Sequence, residues 1–478
     1  MSESTTRTSV LVVGGGPAGA TAAALLARQG IDVAVFEREH FPRYHIGESI
    51  LPACHPVLDL MGAREKIMQH GFRRKSGQYL RWGNEKWDYR FGALSGAQVY
   101  TWQVERSEFD EILLRHAAEQ GAQVFEGRRV TEVHFDGDRP TAVTWTDTED
   151  GSSGRHEFDF LVDASGRAGL LVNRYIGGRT YNESFRNVAV WAYWDDAKEL
   201  PHAPDGATVV SSVRDGWVWA IPLRTGMSIG VILHKRRFTE LRDAGTSLEK
   251  IYHEMLAEAD EISDITDGAT CRGNVRADQD YSYSAERYSG PGYFITGDSA
   301  AFLDPLLSSG VHLAMFSSLL AAASIAAIRR GQVDEESAAS FFHDSYHRTY
   351  LRFLVIVAAV YNQYDGKESY FWQAKDLVRD GYQLPQDVMA PFLQVVTGTA
   401  DFEETTRGTV ARQVLDRAGE LFRETHKVLQ DKLKLANLSD AEREVIQSRG
   451  RYWNSLVRSS SLAEDDAVGG LYIVTEPE

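Results

Sequence analysis

The chain has 478 residues, 43% of them hydrophobic and 25% charged, a globular composition long enough for about three domains. With 51 Lys and Arg against 68 Asp and Glu, the formal net charge is −17, which argues against a nucleic-acid footprint and against adhesion to anionic membranes. Two cysteines, Cys54 and Cys271, are too few for a disulfide scaffold, a cysteine-rich metal site or an iron–sulfur cluster.

Met1–Arg7 leads into an apolar strand rather than a signal peptide, so a cytoplasmic location is expected. Ser9–Val13 reads as that strand. Gly14-Gly15-Gly16-Pro17-Ala18-Gly19 follows, then a small-residue helix Ala20–Gln29, then a strand Ile31–Phe36 ending at Glu37: a βαβ unit. Leu80–Trp82 and Trp87–Phe91 look like strands, and Ser107–Glu119 like an amphipathic helix. Gln123–Glu126, Val130–Phe135 and Thr141–Thr146 are strand-like, and Phe158–Asp163 is a buried strand. Val188–Trp194, Thr208–Val213, Gly216–Pro222 and Ser228–Leu233 alternate as an antiparallel sheet does. Tyr293–Gly297 is again of parallel type. Val311–Ile328 is apolar, but His312, Ser317, Ser318 and Ser324 mark it as a buried helix rather than a membrane span. From about Arg330 the pattern is helical to about Ser459. Ser459–Asp466 is a polar tail, and Leu471–Val474 is a short terminal strand. The class is α/β plus β, a dinucleotide module interrupted by an antiparallel sheet and followed by a helical extension.

Gly14-x-Gly16-x-x-Gly19 follows a strand and opens a helix, so a pyrophosphate can approach its backbone and meet a positive helix end. Glu37 stands 18 residues beyond Gly19, where a carboxylate accepts hydrogen bonds from a ribose. The bland alternative is a plain strand-to-helix turn. Asp163-Ala164-Ser165-Gly166 and Gly297-Asp298-Ser299-Ala300 end two further strands. Together these stretches resemble the FAD-dependent aromatic monooxygenase fold of the p-hydroxybenzoate hydroxylase type, over roughly Ser9–Arg330. The resemblance favours FAD over NAD. It implies cofactor contacts at Gly14, Gly16, Ala18, Gly19, Glu37, Arg43, Glu48, Ser49, Val130, Asp163, Gly297 and Asp298. It sets Arg106, in Gln103-Val104-Glu105-Arg106, against the diphosphate; otherwise Arg106 is a solvated helix-start arginine. Glu48 and Ser49 would touch the flavin ring, or else form a helix-capping pair.

Three features narrow the class. Trp217-Val218-Trp219-Ala220-Ile221-Pro222 puts both tryptophans on one strand face. They are packing residues or a wall beside a flavin. Lys75 lies in Gly71-Phe72-Arg73-Arg74-Lys75-Ser76-Gly77; a lone lysine near a strand is ordinarily solvated. Leu303–His312 precedes a helix whose first N–H groups can hold a small anion, or is a plain polar cap.

With the glycine loop and Pro42-Arg43-Tyr44-His45-Ile46-Gly47-Glu48-Ser49, these features resemble the flavin-dependent halogenases. Ser369-Tyr370-Phe371-Trp372-Gln373-Ala374-Lys375 resembles their carrier-protein-dependent group, which acts on tyrosine-like rings. The resemblance implies FADH2, O2 and chloride as reactants, with a flavin hydroperoxide attacked by halide held at Ser309 and Gly310. Hypohalous acid then passes the wall of Trp217 and Trp219 to Lys75, which delivers it to the aromatic ring. Asp298 and Asp304 nearby make halide binding weak. Tryptophan-type members carry a glutamate where this chain has Leu307, so a phenol is the expected substrate. No second glycine loop for NAD(P)H is visible, so a separate flavin reductase is expected. An acyl or peptidyl carrier protein is the expected substrate bearer. Arg412, Arg417, Arg423, Lys427, Lys432 and Lys434 form its docking surface, or simply a solvated mixed-charge face. FAD-binding parts are expected at about 1–80, 100–180 and 285–335, and a substrate sheet at about 80–100 and 180–284. A helical region, 336–478, is expected to cover the substrate pocket. The competing readings are an aromatic hydroxylase, a flavin-dependent isoprenoid reductase and a non-catalytic flavoprotein.

Overall fold

Strands with apolar residues at every position are buried on both faces, which a parallel sheet between helix layers provides. Val10–Val13, Val33–Phe36 and, up to its terminal Asp163, Phe160–Asp163 are such strands, buried throughout. In the computed structural model, which describes residues 5–83, 85–91, 99–362, 401, 405, 461–465 and 470–474, they sit in one six-stranded sheet. Its order is Ser289–Gly290, Tyr293–Ile295, Phe160–Asp163, Val10–Val13, Val33–Phe36, Gln123–Phe125. All neighbours are parallel except the first pair. The helix Pro17–Arg28 crosses between the strands of the βαβ unit, with Pro17 in its first turn and Ala20, Ala22, Ala23 and Ala24 fully buried. The helix Gly310–Arg329 packs against it. That helix has a mean hydropathy of 1.9 and is buried inside the protein.

A second sheet of eight strands runs Ala301–Phe302, Thr270–Ala285, Arg179–Asp195, Gly226–His234, Gly216–Leu223, Thr208–Val213, Gly77–Trp82, Glu85–Arg90. It is antiparallel apart from the pairing of Thr208–Val213 with Gly77–Trp82. Two of its strands exceed the expectation. Arg179–Asp195 begins nine residues before Val188, and Thr270–Ala285 has no apolar alternation to announce it. Its solvent-facing residues include Arg272, Arg276 and Asp278, and the long ladder to Arg179–Asp195 stabilises it instead.

Alternation along Gly216–Leu223 divides two cores. Trp217, Trp219, Ile221 and Leu223 join the cluster that contains the parallel sheet. Val218 and Ala220 face the other way, toward the helices Leu248–Leu256 and Asp260–Thr266. A smaller four-stranded sheet of Thr5–Arg7, Ser153–Glu157, Arg139–Asp147 and Arg128–Asp136 flanks the dinucleotide module. Arg73–Lys75 pairs with Thr101–Gln103 in a two-stranded ribbon.

The helical extension starts with Glu335–Asn362. Ser369–Lys375 and the basic residues Arg412–Lys434 lie outside the described residues. The terminal strand Gly470–Val474 is present, but it pairs with Ser461–Asp465, inside the stretch expected to be a polar tail. This hairpin lies against the two long helices.

Candidate active site

The glycine loop is shaped by close approach. Gly14 has φ +107°, and a Cβ there would stand 2.2 Å from the Ala164 carbonyl oxygen. A Cβ on Gly19 would stand 1.8 Å from the Gly14 carbonyl oxygen. Any side chain at either position breaks the turn. Glu37 ends its strand beside this loop, accepting from the Gly15 N–H at 2.6 Å and the Glu39 N–H at 2.9 Å. Arg43 reaches the loop too, for a Cβ on Gly16 would meet Arg43 Nη2 at 3.1 Å. The Arg43 guanidinium lies 3.4 Å from Asp110, and its Nη1 is buried with no hydrogen-bond partner. A helix N-terminus with a buried guanidinium beside it, ion-paired to Asp110 but with Nη1 making no hydrogen bond among the described residues, fits a diphosphate. Ala18 is buried in the first helical turn, and Gly297 is pressed between Ala18 and Ala314, so the Gly297-Asp298 turn joins the same cradle.

Other cofactor candidates are committed to the protein itself. Arg106 makes two bonds to Asp110, at 2.8 and 2.9 Å, and two to the carbonyls of Ile46 and Gly47. Of five guanidinium N–H groups, two hold Asp110 and two hold the Ile46 and Gly47 carbonyls. Asp163 accepts from Ser165 N–H and Oγ and from Leu171 N–H, so its carboxylate fastens the following turn. Val130 is buried in a strand, paired with Trp145. Asp298 differs. Among the described residues no side chain donates to its carboxylate, and burial raises its pKa against the pull of Arg167, Arg106 and Arg179.

Lys75 is fully buried, with 0% of its surface exposed. Its Nζ donates to Ser49 Oγ at 2.7 Å and lies 5.6 Å from the centre of the Phe91 ring. Among the described residues no carboxylate pairs with it, and desolvation lowers the amine to about 7. Ser49 Oγ is also 3.0 Å from Thr208 Oγ1. Opposite Lys75 in the ribbon, Thr101 is buried with its hydroxyl unpartnered. The neighbouring arginines turn elsewhere: Arg73 pairs with Glu199 and Asp205, and Arg74 lies over Tyr100.

Trp217 and Trp219 are buried side by side, ring centroids 6.0 Å apart. Trp217 Nε1 donates to Tyr361 Oη at 2.7 Å, and Tyr361 donates to Asp304 at 2.6 Å. Asn187 and the Leu306 N–H also donate to Asp304. Burial raises the Asp304 carboxyl to about 6. Gln78 joins the lysine side to this loop, donating to the Leu306 carbonyl and accepting from Tyr89. Ser308 has φ +58°, turning the chain into the helix that starts at Gly310. Among the described residues Ser309 is buried with its Oγ unpartnered, and nothing occupies the space a Cβ would fill at Gly310. Leu307 is buried and apolar. Sequence reasoning missed Gln78 and Tyr361. Gln78 is fully buried in the strand Gly77–Trp82, and with Arg81 also in that strand little in the sequence marked it.

A tryptophan-halogenase family model matches residues 9–99 and 93–426. The chain is 42% identical to a tryptophan 2-halogenase of Chondromyces crocatus, over 98% of this chain and 93% of that one. It is 39% identical to a flavin-dependent halogenase of Armillaria mellea, over 86% and 84%. Among solved structures, the myxobacterial chondrochloren halogenase CndH superposes with a TM-score of 0.74 at 32% identity, covering 84% of this chain and 92% of that one. The flavin-dependent halogenase CmlS gives 0.73 at 30%, covering 98% and 84%. The chain therefore belongs to the tryptophan-halogenase family and is a flavin-dependent halogenase of aromatic substrates.

Proposed function

We propose that this halogenase chlorinates a tyrosine-like phenol borne by a carrier protein, and that Lys75 delivers the active halogen. Reduced FAD with O2 supplies the oxidation of halide, FADH2 + O2 + H⁺ + X⁻ giving FAD + HOX + H2O. Gly14–Gly19, Glu37 and Arg43 would hold the dinucleotide, and Glu48, Ser49 and Asp298 its redox end. The unpartnered Ser309 Oγ and the first N–H groups of the helix from Gly310 suit a small anion. Burial works against the charge of Asp304, while donation from Tyr361 and Asn187 occupies the carboxylate and favours its charged form.

The observation that carries the reading is Lys75: an amine with no surface, one hydroxyl partner and a pKa near neutrality. As an ammonium it donates to hypohalous oxygen and polarises the halogen. As an amine it exchanges N–H for N–X with loss of water. The halogen then passes to the ring, whose proton returns to the nitrogen. Trp217 and Trp219 keep the ring from the oxidant's source, favouring the small halide over direct hydroxylation.

Leu307 leaves Lys75 without the glutamate of tryptophan-type members, and a phenol ring needs less assistance than free indole. A separate reductase would supply FADH2. The test compares carrier-bound phenol, free phenol and free tryptophan, with chloride and a flavin reductase present. Chlorination of the carrier-bound phenol at the highest kcat/KM supports the reading. Preferential chlorination of free tryptophan, the substrate named for the Chondromyces relative, overturns it.

A further inference from the structure

Each hypohalous acid formed consumes one proton, in a site whose lysine and tryptophans are sealed from water. The structure contains a hydrogen-bonded path for it. Tyr44 is 46% exposed. Its hydroxyl accepts from Trp191 Nε1 at 2.7 Å and lies 3.0 Å from the Tyr193 hydroxyl. Tyr193 in turn donates to Glu48 Oε1 at 2.6 Å. Tyr193 spends its only hydrogen on Glu48, so it accepts from Tyr44, whose oxygen takes the Trp191 N–H. All hydroxyl hydrogens then point toward Glu48. Glu48 is buried, and its other oxygen, Oε2, has no hydrogen-bond partner among the described residues. The next residue, Ser49, is the one that holds Lys75.

We infer that Tyr44, Tyr193 and Glu48 form a proton relay that feeds the oxidation site from solvent. A proton taken up at Tyr44 displaces the Tyr44 proton to Tyr193 and the Tyr193 proton to Glu48 Oε1, and Glu48 passes on one proton per turnover. No group in the relay changes its net charge over the cycle. The surroundings suit a carrier that is charged and neutral by turns. Burial raises the Glu48 carboxyl to about 7, Glu105 adding to the rise. Tyr193, Arg106 and the Ser228 hydroxyl, which lies outside hydrogen-bond geometry, oppose it. Arg276, stacked over the Tyr44 ring at 4.1 Å, and the Glu48 charge act on Tyr44 from either side. The inference rests on the flavin lying at Glu48, and the test separates the two.

Infrared titration of the flavin-free protein, labelled with carboxyl-¹³C glutamate, reads Glu48 directly. A carboxylic-acid band with midpoint near pH 7 should vanish in Glu48→Gln. It should move to higher pH in Tyr193→Phe, which loses a bond to the charged form. In the loaded enzyme, Tyr193→Phe should keep FAD affinity, and both Tyr193→Phe and Glu48→Gln, assayed at saturating FAD, should lower halogenation at least about tenfold. They should also abolish the fall in rate above pH 7 and the solvent deuterium effect on it. Should Tyr193→Phe not fold, Glu48→Gln decides alone. Wild-type rate, pH profile and isotope effect in Glu48→Gln overturn the relay, as does the lack of a band titrating near pH 7. Failure of the wild-type protein to bind FAD overturns the flavin reading instead.

Discussion

At the scale of single residues, Lys75 combines a chemical demand with a stability penalty. Its amine is lowered from 10.5 to about 7 by desolvation. Between those values the unfolded chain binds more protons than the native one, so native stability rises with pH across that window and the penalty is complete below it. Lys75→Met should therefore stabilise the fold at pH 6, on the order of 1–4 kcal/mol, while ending halogenation. The gain should shrink toward pH 10, which thermal unfolding at the two pH values measures; equal gains would show that packing alone is responsible. Arg73→Ala serves as the contrast. It removes a cation two residues away, but one paired with Glu199 and Asp205 at the surface. It should cost about 0.5–1 kcal/mol and leave turnover within about twofold, since exposed pairs carry little energy. Ser309→Ala removes the unpartnered buried hydroxyl. It should raise the KM for halide several-fold with FAD affinity unchanged, as separate chloride and FAD titrations would show.

At the scale of elements, the strands that hold the site were readable because their burial writes a pattern. Val10–Val13 and Val33–Phe36 are unbroken apolar runs, and Trp217 and Trp219 share a face by the two-residue period of a strand. Pairing across long separations leaves no such mark. Thr270–Ala285 is polar and held by its neighbour, and Asp401 meets His312 from 89 residues away. Arg106 was read by type and place, yet its partner Asp110 sits one helical turn on, a spacing the sequence does display. Gly19→Ala tests the loop element. Its Cβ would overlap the Gly14 carbonyl, and the shift it forces should cost about 1–3 kcal/mol and remove FAD binding, followed by flavin fluorescence. Trp217→Phe tests the wall. It leaves Tyr361 without the indole donor, and should cost about 1–3 kcal/mol with more peroxide released per halogenated product.

At the scale of the whole molecule, the parallel sheet carries the glycine loop and the eight-stranded sheet carries the tryptophans. The 46–49 segment and the Lys75 ribbon join them, through Ser49, Arg106 and Gln103. On the proposed reading a separate reductase supplies FADH2, so NADH alone should support no turnover until a flavin reductase is added. The most direct test of the central claim is mass spectrometry of the aromatic product from wild type and Lys75→Ala, under reduced FAD, O2 and chloride, with peroxide release followed in parallel. The account predicts chlorine's isotope doublet from wild type and none from Lys75→Ala, with FAD affinity and peroxide release retained. Chlorinated product from Lys75→Ala at a rate near that of the wild type would contradict it.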